Sequence, residues 1–250
     1  MNYKYNIYIP SGNPTALVIG IPKRKIERIK INNEILKNEP VEQVGFINPD
    51  KTNPKLVMAG GEFCGNATRS AIKYYLNNEY GNIKIKVSGV PNILLGGIDK
   101  NNLSWTEIPI YKRKFIKIIN NQIAIIRLYG ITHLVINTPK INKKKIKEMA
   151  YQLLQKYDLL NEKSAGVIFY KKINSNTFKI NPIVYVKSIN TFFSETACGS
   201  GSAALGIYES YKSNSNQKIC IIQPSKMIIN VSTTVNKKKI EKVIISGKVF

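Results

Sequence analysis

The sequence predicts an α/β protein in which one folding unit occurs twice. Three observations predict it. A Cys-Gly segment recurs in the second half, and strand-like and helix-like segments surround both copies in the same order. The composition, 43% hydrophobic and 21% charged, is that of a globular chain. With 250 residues there is enough chain for one large domain or two modest ones, each with a core of its own.

The repeat is clearest at the cysteines. From Cys64 the chain reads CGNATRSAIKYYL, and from Cys198 it reads CGSGSAALGIYES. The offset, 198 − 64 = 134, carries Lys84-Ile85-Lys86-Val87 onto Lys218-Ile219-Cys220-Ile221 without a gap. Upstream, Thr15 to Ile19 matches Thr132 to Ile136, Val44 to Ile47 resembles Ala165 to Ile168, and Asn53-Pro54 matches Asn181-Pro182.

The elements follow in order. Lys4 to Ile9, Ala16 to Ile19, Val44 to Ile47 and Lys55 to Met58 are expected strands, short, apolar or β-branched, and bounded by Gly, Pro or Asn. Thr68 to Leu76 has helical spacing, with Ala71, Tyr74 and Tyr75 at i, i+3 and i+4. Around Tyr111 to Lys114 the apolar pattern gives way to charge, which reads as a linker. Lys143 to Tyr157 is an expected helix, with Ile146, Ala150, Leu153 and Leu154 on one stripe. Ser202 to Tyr211 is the counterpart of the first cysteine helix, and a last strand begins near Val243. The expected division is a first lobe of residues 1–112 plus 241–250, carrying Cys64, and a second of residues 113–240, carrying Cys198.

The formal charge of +23 invites a nucleic-acid partner. However, lysine is spread over nearly every segment, with local runs at 143–145 and 237–239, and Ile, Asn and Tyr are also over-used. All four residue types have AT-rich codons, so a genomic bias accounts for the set. A nucleic-acid site would interleave basic residues with stacking aromatics or show a known module, and neither is found. No apolar run approaches the roughly 18 residues of a membrane helix, and the start lacks a secretory signal. A cytosolic protein is expected, with neither nucleic acid nor membrane as partner.

Cys64, Cys198 and Cys220 form no disulfide framework expected of a cytosolic chain, and their spacing does not suit zinc. The two cysteines in the repeat each precede a Gly-rich helix start. There the unpaired backbone N–H groups and the helix dipole favour an anion, which can be a ligand carboxylate or a thiolate. Two such ends meeting would hold one α-carboxylate between two thiols. Inverting an α-carbon needs a base on one face and an acid on the other, which a quasi-symmetric thiol pair supplies. The helix-end N–H groups would stabilise the developing carbanion through its carboxylate. No pyridoxal signature is evident and no metal is implied, so no cofactor is expected. Cys220 falls opposite Lys86 in the repeat and reads as buried filler.

At these residues the chain resembles the diaminopimelate-epimerase-like superfamily, whose members include proline racemases and the histidine racemases of opine-metallophore pathways. The match runs over nearly the whole chain through PSGN (Pro10 to Asn13), EFCGNAT (Glu62 to Thr68), ETACGSG (Glu195 to Gly201) and ISGKV (Ile245 to Val249). The resemblance implies two pseudo-symmetric lobes of α+β type, each a barrel-like, mostly antiparallel sheet around a central helix. The site would lie in the cleft between them, and the C-terminal strand would rejoin the first lobe. It also implies that Cys64 and Cys198 are the catalytic pair, and that Asn13, Gly65, Asn66, Gly199 and Ser200 contact substrate. His133, the only histidine, aligns with a segment near the site and is expected to contact substrate or assist one thiol.

Two features bear on substrate. Diaminopimelate epimerases carry a Glu-Arg pair shortly before the second cysteine, where this chain has Ile189-Asn190, and no arginine follows Arg127. Lysine would not reproduce its bidentate grip. Instead Glu42 to Phe46, Leu56 to Met58, Glu62 to Thr68 and Val87 to Gly89 resemble staphylopine-type histidine racemases, with Glu42 as a candidate partner for a substrate cation. The resemblance thus implies an amino-acid racemase, histidine first, with diaminopimelate as the alternative and a homodimer as an option.

Overall fold

The computed structural model describes residues 3–138, 141–237 and 239–250, so Lys238 of the second lysine run lies outside the described residues. The first half comprises β1 (Tyr5–Tyr8), β2 (Thr15–Ile19), α1 (Lys25–Asn38), β3 (Gln43–Ile47) and β4 (Lys55–Met58). It continues with α2 (Gly65–Tyr75), β5 (Gly81–Val87), β6 (Leu94–Ile98) and β7 (Ser104–Glu107). The second half comprises β8 (Ile116–Asn120), β9 (Ile123–Leu128), β10 (Ile131–Asn137), α3 (Ile146–Lys156), β11 (Ser164–Lys172), β12 (Thr177–Val186) and β13 (Thr191–Ser194). It closes with α4 (Gly199–Ser213), β14 (Gln217–Ile222), β15 (Ile228–Asn236) and β16 (Lys239–Gly247). Among the described residues no helix is long and apolar enough to cross a membrane.

The doubling is a property of the fold. In the first half β1 and β2 are antiparallel, β2 and β3 parallel, β3 and β4 antiparallel, β4 and β5 parallel, and β5 and β6 antiparallel. The same alternation runs through β9, β10, β11, β12, β14 and β15. Antiparallel pairs therefore predominate, and β8 and β13 are additions to the second copy. The strands form one continuous 16-stranded sheet, because β16 pairs with both β15 and β7. The end of the chain also bonds back to its start: Ile9 N–H donates to Phe250 O at 2.9 Å and Ser11 N–H to Lys248 O at 2.8 Å.

Pairing also corrects the sequence register of the repeat at two places. Gly45 faces Met58 and Leu17, while Gly166 faces Val184 and His133. Leu17 therefore corresponds to His133, one residue out from the Thr15/Thr132 match. Leu56 corresponds to Pro182, two residues out from the Asn-Pro match. A one-residue slip turns a strand over, so the apolar resemblance of TALVI and THLVI was a coincidence of composition.

The sheet curls round two helices. α4 packs against β9, β10, β11, β14, β15 and β16, and α2 against β2 to β7. A helix enclosed on all sides cannot carry large side chains on all sides, and both obey this. From Gly65 to Ala71, α2 is built mainly of Gly, Ala, Ser and Thr, and α4 opens Gly199-Ser200-Gly201-Ser202-Ala203-Ala204, all buried. The outer helices bury one stripe only, as with Ile146, Ala150 and Leu154 of α3. Outer helix α1 was not predicted. Its sequence KIERIKINNEILKN buries only Ile31, Asn32 and Ile35, too thin a stripe to stand out.

Candidate active site

Cys64 and Cys198 are the N-caps of α2 and α4, with nearly equal backbone angles (φ −133°, ψ 113° and φ −130°, ψ 109°). Each thiol accepts the N–H three residues on, Ala67 at 3.4 Å and Gly201 at 3.3 Å. Thr68 and Ser202 each return a hydroxyl to the cysteine carbonyl at 2.7 Å. The two helix starts meet. Asn66 Nδ2 donates to Ala197 O at 2.8 Å, and a Cβ placed on Gly199 would lie 3.3 Å from Asn66 N. Ile245 of β16 lies under both glycines, its Cδ1 2.8 Å from where a Cβ of Gly65 or of Gly199 would be. Only glycine allows this approach.

One cavity is walled by Cys64, Gly65, Asn66, Cys198, Gly199 and Ser200, with Gln43, Glu62, Phe63 and Glu195 beside them and apolar Ile131, Val184 and Val186. Open amides at two helix N-termini, small residues and two thiols therefore share one enclosure. Glu62 and Ile131 also belong to a larger cleft of about 590 Å³ between the halves, whose walls include Lys25, Tyr111, Arg127 and Lys187. Among the described residues no group of three His, Cys, Asp or Glu side chains is arranged to hold a metal ion.

The thiols have different neighbours. Cys64 Sγ donates to Gln43 Oε1 at 3.0 Å, and the Gln43 amide donates to Asn13 Oδ1 and to Thr15 Oγ1 at 2.8 Å. Asn13 in turn donates to Glu42, which also accepts the Thr196 N–H from the other half at 3.1 Å. Cys198 Sγ lies 3.6 Å from Ser200 Oγ, which lies 2.9 Å from His133 Nε2. The Cys198 N–H is held by Gln223 Oε1 at 3.0 Å. Arg69, fully buried in α2, donates to Asn66 Oδ1 at 2.8 Å and has Ser11 Oγ as its other partner.

Burial dominates the electrostatics. It pushes Cys64 up to about 12 and raises Cys198 well above its ordinary value, outweighing the helix-end N–H groups that favour the thiolates. Burial likewise raises Glu195 to about 8, with Glu42 and Glu62 adding like charge, and raises Glu62 itself. His133 falls to about 3 by burial and is neutral. Burial lowers Arg69 to about 10, still a cation near Cys64. The thiols and Glu195 therefore hold their protons near neutral pH.

This has a consequence for stability. Between the ordinary carboxyl value of 4.5 and about 8, the folded chain keeps a proton on Glu195 that the unfolded chain releases. Stability from this group thus falls as pH rises through that window. Thermal melting from pH 5 to 8 is expected to slope less steeply downward in Glu195→Gln, and an unchanged slope would refute the assignment.

The expected substrate residues Gly65, Asn66, Gly199 and Ser200 all wall the thiol cavity. Asn13 and His133 do not: both are fully buried, Asn13 against Gln43 and Glu42, and His133 behind Ser200. Glu42 walls an adjoining cavity that also touches Gln43, Glu62 and Glu195. Cys220 bonds to Asn230 at 3.4 Å within the sheet and walls none of these spaces. Sequence reading singled out neither Gln43, Glu62, Arg69, Glu195 nor Gln223. The acids had a signal, since Glu62 and Glu195 stand just ahead of each cysteine.

Comparison with known proteins agrees with this architecture. The chain is 33% identical over 231 residues to a histidine racemase of Fusobacterium nucleatum subsp. nucleatum, covering 86% of this chain and 84% of that one. It is 28% identical over 245 residues to a histidine racemase of Staphylococcus aureus, covering 92% and 88%. Its fold is similar to that of a hydroxyproline epimerase from Agrobacterium vitis (TM-score 0.67, 9% identity, 99% and 90% covered). The family model described as the histidine racemase CntK N-terminal domain matches residues 3–250, and with the doubled fold and its paired cysteine helices on the page, the chain belongs to that racemase family.

Proposed function

We propose that the protein is a cofactor-independent histidine racemase in which Cys64 and Cys198 are the acid–base pair. The observation that carries this is the equivalence of the two cysteines: each caps a helix, and the two helix starts meet at one cavity. The substrate carboxylate sits at the open amides of Gly65, Asn66, Gly199 and Ser200, which the helix dipoles favour. As substrate binds, one thiol releases its proton to solvent, helped by the helix-end N–H groups; that thiolate then takes the α-proton, so a C–H bond breaks as an S–H bond forms. The other thiol gives its proton to the opposite face, and the reverse reaction exchanges the roles. The amides that hold the carboxylate also hold the charge the carbanion places on it. Arg69, a buried cation with no carboxylate partner among the described residues, favours negative charge at the same place. Asn13 and Gln43 orient the Cys64 thiol; His133 and Ser200 orient Cys198.

Histidine as substrate is supported by the relatives, which are histidine racemases, and by Ile189-Asn190 standing where diaminopimelate epimerases carry the arginine that grips a second carboxylate. An opine-type metallophore pathway is the matching consumer of D-histidine. Cells lacking the protein should then make the metallophore only when D-histidine is supplied. The enzyme itself is tested in D2O, where the reduced protein should exchange the α-hydrogen of L-histidine and yield D-histidine by chiral chromatography. Exchange with diaminopimelate alone would transfer the reading to that substrate, and exchange with no amino acid would sink it.

A further inference from the structure

We infer that Glu62 reads the substrate's side chain, its carboxyl accepting a ring N–H of histidine. This rests on the histidine racemase reading. Glu62 stands where three spaces meet: the thiol cavity, the adjoining one walled by Glu42, and the open cleft between the halves. The cysteines wall only the first of these, so a side chain leaving the α-carbon toward the cleft passes Glu62. Apolar Ile131, Val184 and Val186 flank that path and suit the faces of a flat ring.

The state of the carboxyl points the same way. Both oxygens of Glu42 are held by Thr196, and Asn13 adds a further bond. Glu62 Oε2 is buried and has no hydrogen-bond partner, although the Gly60 and Glu62 N–H groups and the more distant Lys25 charge act on the carboxyl. A buried acceptor left unmade is costly, and a ligand N–H offsets that cost. Gly60 keeps the neighbouring space open: a Cβ there would run into Glu62 Oε2 and come within 2.6 Å of Ser188 Oγ. Glu42, Glu62 and Glu195 converge here in a chain with only 15 acidic residues, and none is in an ion pair among the described residues. Lys25, Arg127 and Lys187 line the open cleft beside Glu62, yet none of them forms an ion pair with these acids among the described residues.

The test uses the reduced full-length enzyme with L-histidine and its two N-methyl isomers, in each of which one ring N–H is replaced. Glu62→Gln and Glu62→Ala should raise the KM for histidine at least tenfold with kcat within about threefold. The wild type should reject one methyl isomer far more than the other, and Glu62→Ala should shrink that preference at least fivefold. Gly60→Ala, which crowds Oε2, should raise the histidine KM while the carboxyl group stays in the chain. A fall in kcat for histidine and both isomers alike would mark a structural or α-ammonium role and overturn the inference. So would unchanged KM and isomer preference in both Glu62 variants. If the wild type does not racemise histidine at all, the functional reading fails first.

Discussion

Replacing Cys64 or Cys198 by serine is expected to lower racemisation by about 10³-fold or more, within the range for loss of a positioned acid or base. A serine hydroxyl cannot supply an anion at working pH, so one face of the α-carbon loses its proton carrier. The fold should not suffer. Each thiol caps its helix by accepting the Ala67 or Gly201 N–H, and serine is among the preferred N-cap residues. Melting temperatures at or above that of the wild type are therefore expected beside the loss of activity. A serine variant that racemises normally would remove that cysteine from the acid–base pair. Equal loss in Cys220→Ser would show that thiol number, rather than place, controls activity.

The second large effect concerns the glycines between the thiols. Gly199→Ala puts a Cβ 2.8 Å from Ile245 Cδ1, 3.0 Å from Asn66 Oδ1 and 3.3 Å from Asn66 N. The end of Ile245 can move, but the Asn66 backbone belongs to the opposite helix start. The helices must separate, and a misplacement near 1 Å costs about 10²-fold in rate. Gly65→Ala meets the same Ile245 tip at 2.8 Å, but its nearest opposing backbone is Gly199 C at 3.8 Å. Its loss should be smaller and should be restored by Ile245→Val, which shortens that side chain. Ile245→Val should not rescue Gly199→Ala. Steady-state kinetics on the three single and two double variants measure this directly. Equal losses, or equal rescue, would show that the opposed backbones do not set the thiol spacing.

Much of the candidate site was legible because its signal is local in the chain. A cysteine before a Gly-rich, small-residue helix is a capping pattern, and capping is decided by neighbours within four residues. Its recurrence 134 residues on identified two equivalent positions without any fold in hand. Elements with strong periodicity, such as α3, were legible for the same reason. α1 was not, since only three of its residues are buried. Strand register was legible only where glycine or the cysteine helix anchored it. TALVI and THLVI are alike in composition, yet they align one residue apart, with opposite faces toward the central helix.

What surrounds the thiols came from folding. Gln43 reaches Cys64 because β3 lies beside β2, and Glu42 meets Thr196 across 154 residues of chain. Asn13 and His133 looked like substrate contacts from their alignment, but the packing sets both a layer behind the cavity wall. By itself the sequence determined the doubled unit, the two capping cysteines and the Gly-rich helix starts, because each is a short-range pattern repeated. Only the tertiary structure decided which acids converge and which oxygen is left without a partner. Burial and hydrogen bonding across long separations are sums over neighbours that no local stretch contains.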